Sequence, residues 1–135
     1  MSAEENRRIV SQFISIFQNR NYDDFLAISS PDATWWISGP QEKLPFFGTH
    51  LLVNRVPYLK EAFGKANAIS YDVRSITASE QDVVVEYLAK ADGPAEGQHY
   101  ENEILTKFTL KDGKIIDVRE YLDTNPIFQY LAAAA

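Results

Sequence analysis

Cysteine is absent from this chain of 135 residues, which excludes disulfides and thiolate metal sites. Histidine is scarce. His50 and His99 are the only two and stand far apart, so no His-rich metal centre is expected and no metal ligand is assigned. No apolar run approaches the roughly 18 residues of a membrane-spanning helix. The opening MSAEENRRIV lacks the long apolar core of a secretory signal. No membrane partner is therefore expected, and a cytoplasmic location is. Basic residues are outnumbered, 13 Lys and Arg against 19 Asp and Glu, for a formal charge of -6. With Arg7-Arg8 as the densest basic pair, binding through phosphate neutralisation is disfavoured, and no nucleic-acid partner is expected. A Walker loop, a nucleophile elbow and a dinucleotide fingerprint are all missing, so no cofactor is expected.

What is present suits a globular domain with an aromatic interior. Hydrophobic residues make up 45% of the chain, with eight Phe, seven Tyr and two Trp, enough to line a cavity. One domain is drawn over residues 1–131, and the Ala132 to Ala135 tail is left out of the functional argument. Ser2 with Glu5 three residues on forms a capping-box pattern. Ile9, Phe13, Ile16 and Phe17 then give one helical stripe, predicting a helix over 2–20. A short helix is expected over 22–29, a turn at Ser30-Pro31-Asp32, and a strand over 33–38 ended by Gly39-Pro40. The apolar loop Leu44 to Phe47 is expected to cover part of the interior. Residues 50–63 have helical spacing, with Pro57 placed best in the first turn. Strands are predicted over 70–78, 82–91, 99–110 and 115–124, with a hairpin turn at Lys111 to Lys114. A closing turn or short helix is expected around Ile127 to Leu131. Helices gathered early and strands late indicate an α+β fold with a mainly antiparallel sheet.

The final strand carries the chemistry. Alternation puts Ile116, Val118, Glu120 and Leu122 on one face and Ile115, Asp117, Arg119, Tyr121 and Asp123 on the other. A carboxylate in an apolar row is costly unless it is paired, protonated or used. Two readings of Glu120 follow: a general acid or base with its pKa drawn towards neutrality, or a carboxyl paired inside the sheet. Tyr100 and Asn102 share a face of the preceding strand with Ile104, Thr106, Phe108 and Leu110. They can donate hydrogen bonds to a substrate oxygen or serve as polar packing. The hairpin places Asn102 almost opposite Asp123, with Tyr100 and Asn102 in reach of Glu120 only through diagonal contacts. Trp35 shares a face with Ala33 and Ile37 and is expected at a cavity wall or in the core. Trp36 points the other way, to a dimer interface or under the Leu44 to Phe47 loop. His99 is read as a solvated loop histidine or a second acid or base, and His50 as a local cap or a rim residue.

Asp32-Ala-Thr-Trp35 running to Gly39, Asp82-Val-Val-Val-Glu86, Tyr100-Glu-Asn102, Asp112-Gly-Lys-Ile115 and Arg119-Glu-Tyr-Leu-Asp123, taken in order, resemble the NTF2-like superfamily and within it the SnoaL-like family. The resemblance spans nearly the whole chain and is more specific for fold than for function. It implies a cone: a curved, mainly antiparallel sheet wrapped around N-terminal helices, with an internal pocket and a homodimer formed through the sheet. It also implies exclusions. Ile37 and Phe13 stand where ketosteroid isomerases carry an Asp base and a Tyr. Glu120 falls where limonene-type epoxide hydrolases place one carboxylate, but Glu86-Tyr87-Leu88 lacks the accompanying Arg-x-Asp. Scytalone-dehydratase-like sites rely on histidines. SnoaL-type cyclases need chiefly a pocket carboxylate, which this sequence has.

The expectation is a cofactor-independent lyase, isomerase or cyclase acting on a small hydrophobic, carbonyl-bearing molecule. Glu120, Tyr100 and Asn102 would be catalytic, with Trp35, Ile37, Phe13, Phe17, Phe63 and His99 binding substrate. The alternatives are a non-catalytic pocket for a small hydrophobic ligand and a dimeric interaction domain.

Overall fold

Residues 99–111 alternate buried and exposed side chains along almost their whole length, which makes them the central strand of a sheet covered on one face. The computed structural model describes residues 2–134; Met1 and Ala135, the ends of the sequence-drawn domain and tail, lie outside them. The elements run α1 (Ala3–Asn19), a 3-10 turn (Tyr22–Asp24), α2 (Phe25–Ile28), β1 (Ser29–Ile37), β2 (Gly48–Leu51), α3 (Leu52–Phe63), β3 (Ala68–Ala78), β4 (Asp82–Asp92), β5 (His99–Lys111), β6 (Lys114–Tyr121) and α4 (Thr124–Ala133). The six strands form one curved sheet in the order β2-β1-β6-β5-β4-β3. All neighbours are antiparallel except β1 and β6. Helix α1 lies against β3 and β4, α3 against β1, and α4 against β5. The expected α+β architecture is thus present, with the helices on the inner face.

Local signals explain the ends. Ser2 caps α1 by accepting from the Glu5 amide at 3.1 Å. Asp123 caps α4 by accepting from the Asn125 amide at 3.0 Å. The inner face of the sheet and the stripe of α1 form one core around Phe13, which stacks on Phe25 at 4.4 Å and meets Phe108 and Trp35 edge-on.

Several boundaries differ from expectation for identifiable reasons. β1 begins at Ser29, not residue 33, and runs through the Ser30-Pro31-Asp32 segment. Its register against β6 shifts between Ser29 and Thr34, and this irregularity accommodates Pro31 at exposed backbone. Residues 48–51, expected to be loop and helix start, form β2 on the sheet edge. Pro57 therefore sits in the second turn of α3 rather than the first. It removes the donor for the Val53 carbonyl, and both residues are exposed, where water can serve that carbonyl. In β6 the register shifts between the pairs Thr109–Asp117 and Leu110–Ile115. The extra residue is a bulge. It turns Ile115 inward, fully buried, and leaves Ile116 half-buried, the reverse of the expected assignment for this pair. Beyond the bulge Val118 and Glu120 face inward as the alternation requires. α4 is longer than a closing turn and takes in Ala132 and Ala133.

Phe46 and Phe47 are buried, so the apolar loop does cover the interior. Its return depends on Gly39, whose φ of +141° lies where side chains are strained, and where a Cβ would stand 2.5–2.8 Å from the Phe47 ring. Gly39→Ala is expected to destabilise the chain by about 1–3 kcal/mol through backbone strain and overpacking. Urea unfolding of the two proteins measures this.

Candidate active site

Glu120 lies on β6 with Ile37 of β1 on one side and Thr106 of β5 on the other. Ser38 fixes the end of this strand pair. Its amide donates to the Glu120 carbonyl at 2.9 Å, and its hydroxyl accepts from the Leu122 amide at 3.0 Å. The Glu120 side chain is buried, and its Oε1 accepts from Trp35 Nε1 at 3.1 Å. No described ion pair includes it. Burial raises its pKa from 4.5 to about 7, against the opposing pull of the Arg55 charge and the Trp35 hydrogen bond. The carboxyl is therefore divided between its two protonation states near neutral pH.

Arg55 is the charged partner that sequence reasoning missed. It is buried on α3 and donates to three backbone carbonyls: Trp35 through Nε at 3.2 Å and Nη2 at 3.0 Å, Phe46 through Nη1 at 2.8 Å, and Gly48 through Nη2 at 2.8 Å. Its guanidinium also stands 5.6 Å from the Trp35 ring centre and 5.2 Å from that of Phe46. Burial lowers its pKa to about 10 and the Glu120 charge opposes that shift, so it stays cationic at neutral pH. One side chain thus ties β1, the covering loop and β2 together, and its positive charge draws the Glu120 pKa down. The signal was available: Leu52, Arg55, Val56, Leu59 and Phe63 fall on one helical stripe, which puts Arg55 on the buried face.

Glu120 faces a small cavity of about 30 Å³. Trp35, Ile37 and Phe17 line one side, and Leu59, Phe63, Phe46 and Ile127 another. Tyr71, Tyr87, Tyr100, Ala89 and Ile104 line it from β3, β4 and β5. The space suits a water molecule or two and not yet a metabolite. Along β4 the inward series Val83, Val85, Tyr87, Ala89, Ala91 becomes small at one end, and this is where the sheet leaves room. Tyr71 and Tyr87 were not singled out from sequence, although the β4 alternation exposes Tyr87 as inward.

The polar groups differ in their freedom. Tyr87 Oη and Thr106 Oγ1 bond to each other at 3.0 Å. Tyr100 Oη accepts from Asn102 Nδ2 at 3.0 Å. Its own proton has no acceptor among the described residues and is free to be donated into the cavity. Burial and the nearby Glu120 charge push its pKa upward, which keeps it a donor. Asn102 does not line the cavity. It donates to the Asp123 carbonyl at 2.8 Å and accepts from the Asp123 amide at 3.4 Å, close to the pairing expected from the hairpin. It positions the Tyr100 hydroxyl and anchors the start of α4. Asn102→Ala is expected to cost about 1–3 kcal/mol through the Asp123 groups left unpaired, measurable by denaturant unfolding.

The other sequence-selected residues divide. Trp35, Ile37, Phe17 and Phe63 line the cavity. Phe13 lies behind that wall, packed against Phe17 and Trp35. His99 is not brought to the cavity. It is exposed, 2.6 Å from Asp92 and 3.7 Å from Glu101, because it starts β5 on the outward-facing parity. His50 bonds the Pro45 carbonyl at 2.6 Å. Trp36 is on the outer face beneath Arg119, 4.1 Å from its ring centre, and beside Tyr121 at 5.0 Å, not under the loop.

A curved, mostly antiparallel sheet closed by helices is the NTF2-like architecture. The chain belongs to the SnoaL-like domain family, whose model matches residues 10–118. Among curated proteins it is 25% identical to "UPF0523 protein C" of Dictyostelium discoideum, over 96% of this chain and 91% of that one. Among solved structures it superposes on an LEH-like epoxide hydrolase of M. tuberculosis with a TM-score of 0.74 at 21% identity, covering 98% of this chain and 93% of the other. It is also similar to a putative SnoaL-like polyketide cyclase from Jannaschia, with a TM-score of 0.76 at 19% identity and coverage of 97% and 94%. At these identities the two structures speak to fold.

Proposed function

We propose that this chain is a cofactor-independent isomerase, cyclase or lyase that moves a proton on a small hydrophobic, carbonyl-bearing molecule. The observation that carries the reading is Glu120: a buried carboxyl at a cavity wall, held by Trp35, with a pKa raised to about 7. In its ionised form it removes a proton from the carbon beside the carbonyl. The C–H electron pair moves into the new C=C bond and the carbonyl π pair moves onto oxygen. Tyr100 donates its free proton as a hydrogen bond to that oxygen. The proton on Glu120 then returns to a different carbon of a conjugated enolate in an isomerisation; in a cyclisation the enolate carbon attacks a second carbonyl of the same molecule, whose π pair moves onto its oxygen, and that oxygen takes the Glu120 proton. The neighbouring aromatic wall is chemically suited to an apolar body.

The test is hydrogen–deuterium exchange of small cyclic ketones and enones in deuterated buffer, followed by proton NMR. Enzyme-dependent exchange beside the carbonyl is expected, and exchange no faster than in buffer alone would sink the catalytic reading. A second reading is favoured by the smallness of the cavity: a dimeric interaction domain whose cone is filled by its own side chains. It predicts neither exchange nor binding of apolar ligands. We further propose a homodimer across the outer sheet face, where Leu105 and Tyr121 are register partners, both 44% exposed, beside the Trp36–Arg119 stack. No helix among the described residues is long and apolar enough to cross a membrane.

A further inference from the structure

Three spaces between the α3–α4 surface and Glu120 share wall residues. A groove of about 220 Å³ opens between α3 and α4, lined by Tyr58, Glu61, Ala62, Gln98 and Leu131. Tyr58, Ala62 and Leu131 also line a pinched space of about 10 Å³ further in. The pinched space in turn shares Phe46, Phe63 and Ile127 with the Glu120 cavity. Its walls are aromatic and aliphatic throughout. Tyr130, the remaining wall residue, has its hydroxyl turned to the Gly93 carbonyl at 2.7 Å. No cationic side chain is among the residues lining the groove or the pinched space; Arg55, beside Phe46, spends four of its five N–H donors on backbone carbonyls. The charged residue at the outer groove is Glu61.

We infer that substrate reaches Glu120 between α3 and α4, through a neck formed by Phe46, Phe63, Ala62, Ile127 and Leu131, and that this neck selects uncharged molecules with an apolar body. An anion meets Glu61 outside and no cationic side chain lining the passage, and would enter apolar walls without a direct ion-pair partner. Phosphorylated and carboxylated forms of a metabolite are thereby refused. Ile127 and Leu131 are the specificity-determining side chains, because they come from the helix that closes the passage while Phe46 and Phe63 are pinned by ring packing: Phe46 on Phe47 and Tyr58, Phe63 on Tyr100 and Tyr130. The inference rests on the Glu120 cavity being a ligand site, as proposed above, but not on its turning anything over.

Trp35 is a reporter at the far end of the route, 1% exposed. In a Trp36→Phe background it is the single tryptophan, and its fluorescence can be quenched by acrylamide, a small neutral amide, or by iodide. Ile127→Ala and Leu131→Ala are each expected to raise the acrylamide Stern–Volmer constant severalfold and leave the iodide constant unchanged. Ala62→Leu is expected to lower the acrylamide constant. Val10→Ala, a core truncation on α1 away from the neck, controls for general loosening. An acrylamide constant unmoved in both widened variants, or raised as much by Val10→Ala, would overturn the route. Iodide rising in step with acrylamide would overturn the selection against anions. Because quenching needs no turnover, a failed route and a failed catalytic reading give different results: the first shows in fluorescence, the second in proton exchange.

Discussion

Glu120→Gln is expected to lower proton exchange by a factor of about 10²–10⁴, the usual contribution of a positioned general base, while the fold is retained. Gln keeps an oxygen for the Trp35 Nε1 hydrogen bond and nearly the same shape, so loss of activity is not loss of structure. The same substitution should change how stability depends on pH. The folded pKa is about 7, against 4.5 for an unperturbed glutamate. Between those values the folded chain keeps a proton that the unfolded chain gives up. Stability therefore falls as pH rises from about 4.5 to 7 and levels off above, a loss of about 3 kcal/mol from this one group. Gln has no proton to lose, so the stability of Glu120→Gln relative to the native chain should improve by about that amount between pH 4 and pH 8. Urea unfolding at the two pH values measures the difference. A constant offset would mean that Glu120 is not buried as a neutral acid in the folded chain.

Arg55→Met should be the most destabilising substitution in the site, at about 3–5 kcal/mol, the range for removing one member of a buried charged network. Four hydrogen bonds to three carbonyls are lost together, and methionine fills the volume without replacing any. Arg55→Lys should recover only part of the loss, since one ammonium cannot span Trp35, Phe46 and Gly48 in the fork geometry of a guanidinium. The substitution also removes the charge that holds the Glu120 pKa down. In Arg55→Met the rise of activity with pH should therefore move above pH 7. A large stability loss with an unmoved pH profile would confine Arg55 to structure and contradict its electrostatic role.

The sheet was legible because β5 carries strict alternation, residues 82–92 repeat it, and β6 follows it beyond its bulge. Glu120 could be found by parity alone: it breaks an apolar row, and the bulge lies before it rather than after it. The bulge itself was hidden because Ile115 and Ile116 are both apolar, so either can face inward. β2 was hidden because four residues with partial burial, Gly48 to Leu51, hold no periodicity and depend on pairing with Thr34 to Ile37. Arg55 was overlooked because a charge in a helix is ordinarily solvated, and only its neighbours on the stripe reveal otherwise. Asn102 was placed correctly on the inner face, but its two bonds turn it towards Tyr100 and Asp123 and away from the cavity. No pattern in one strand can give that orientation, because it depends on where the chain goes after β6. The size of the cavity is likewise a property of packing across three helices and the sheet.

The central claim is that a carboxyl in this cavity ionises near neutral pH, and a carbon-13 NMR titration of the glutamate side-chain carboxyls tests it most directly. The resonance missing from Glu120→Gln identifies the group. A midpoint near pH 7 is the predicted result. A midpoint near 4.5 would show a solvated or tightly paired carboxylate and would contradict both the site and the proton chemistry built on it.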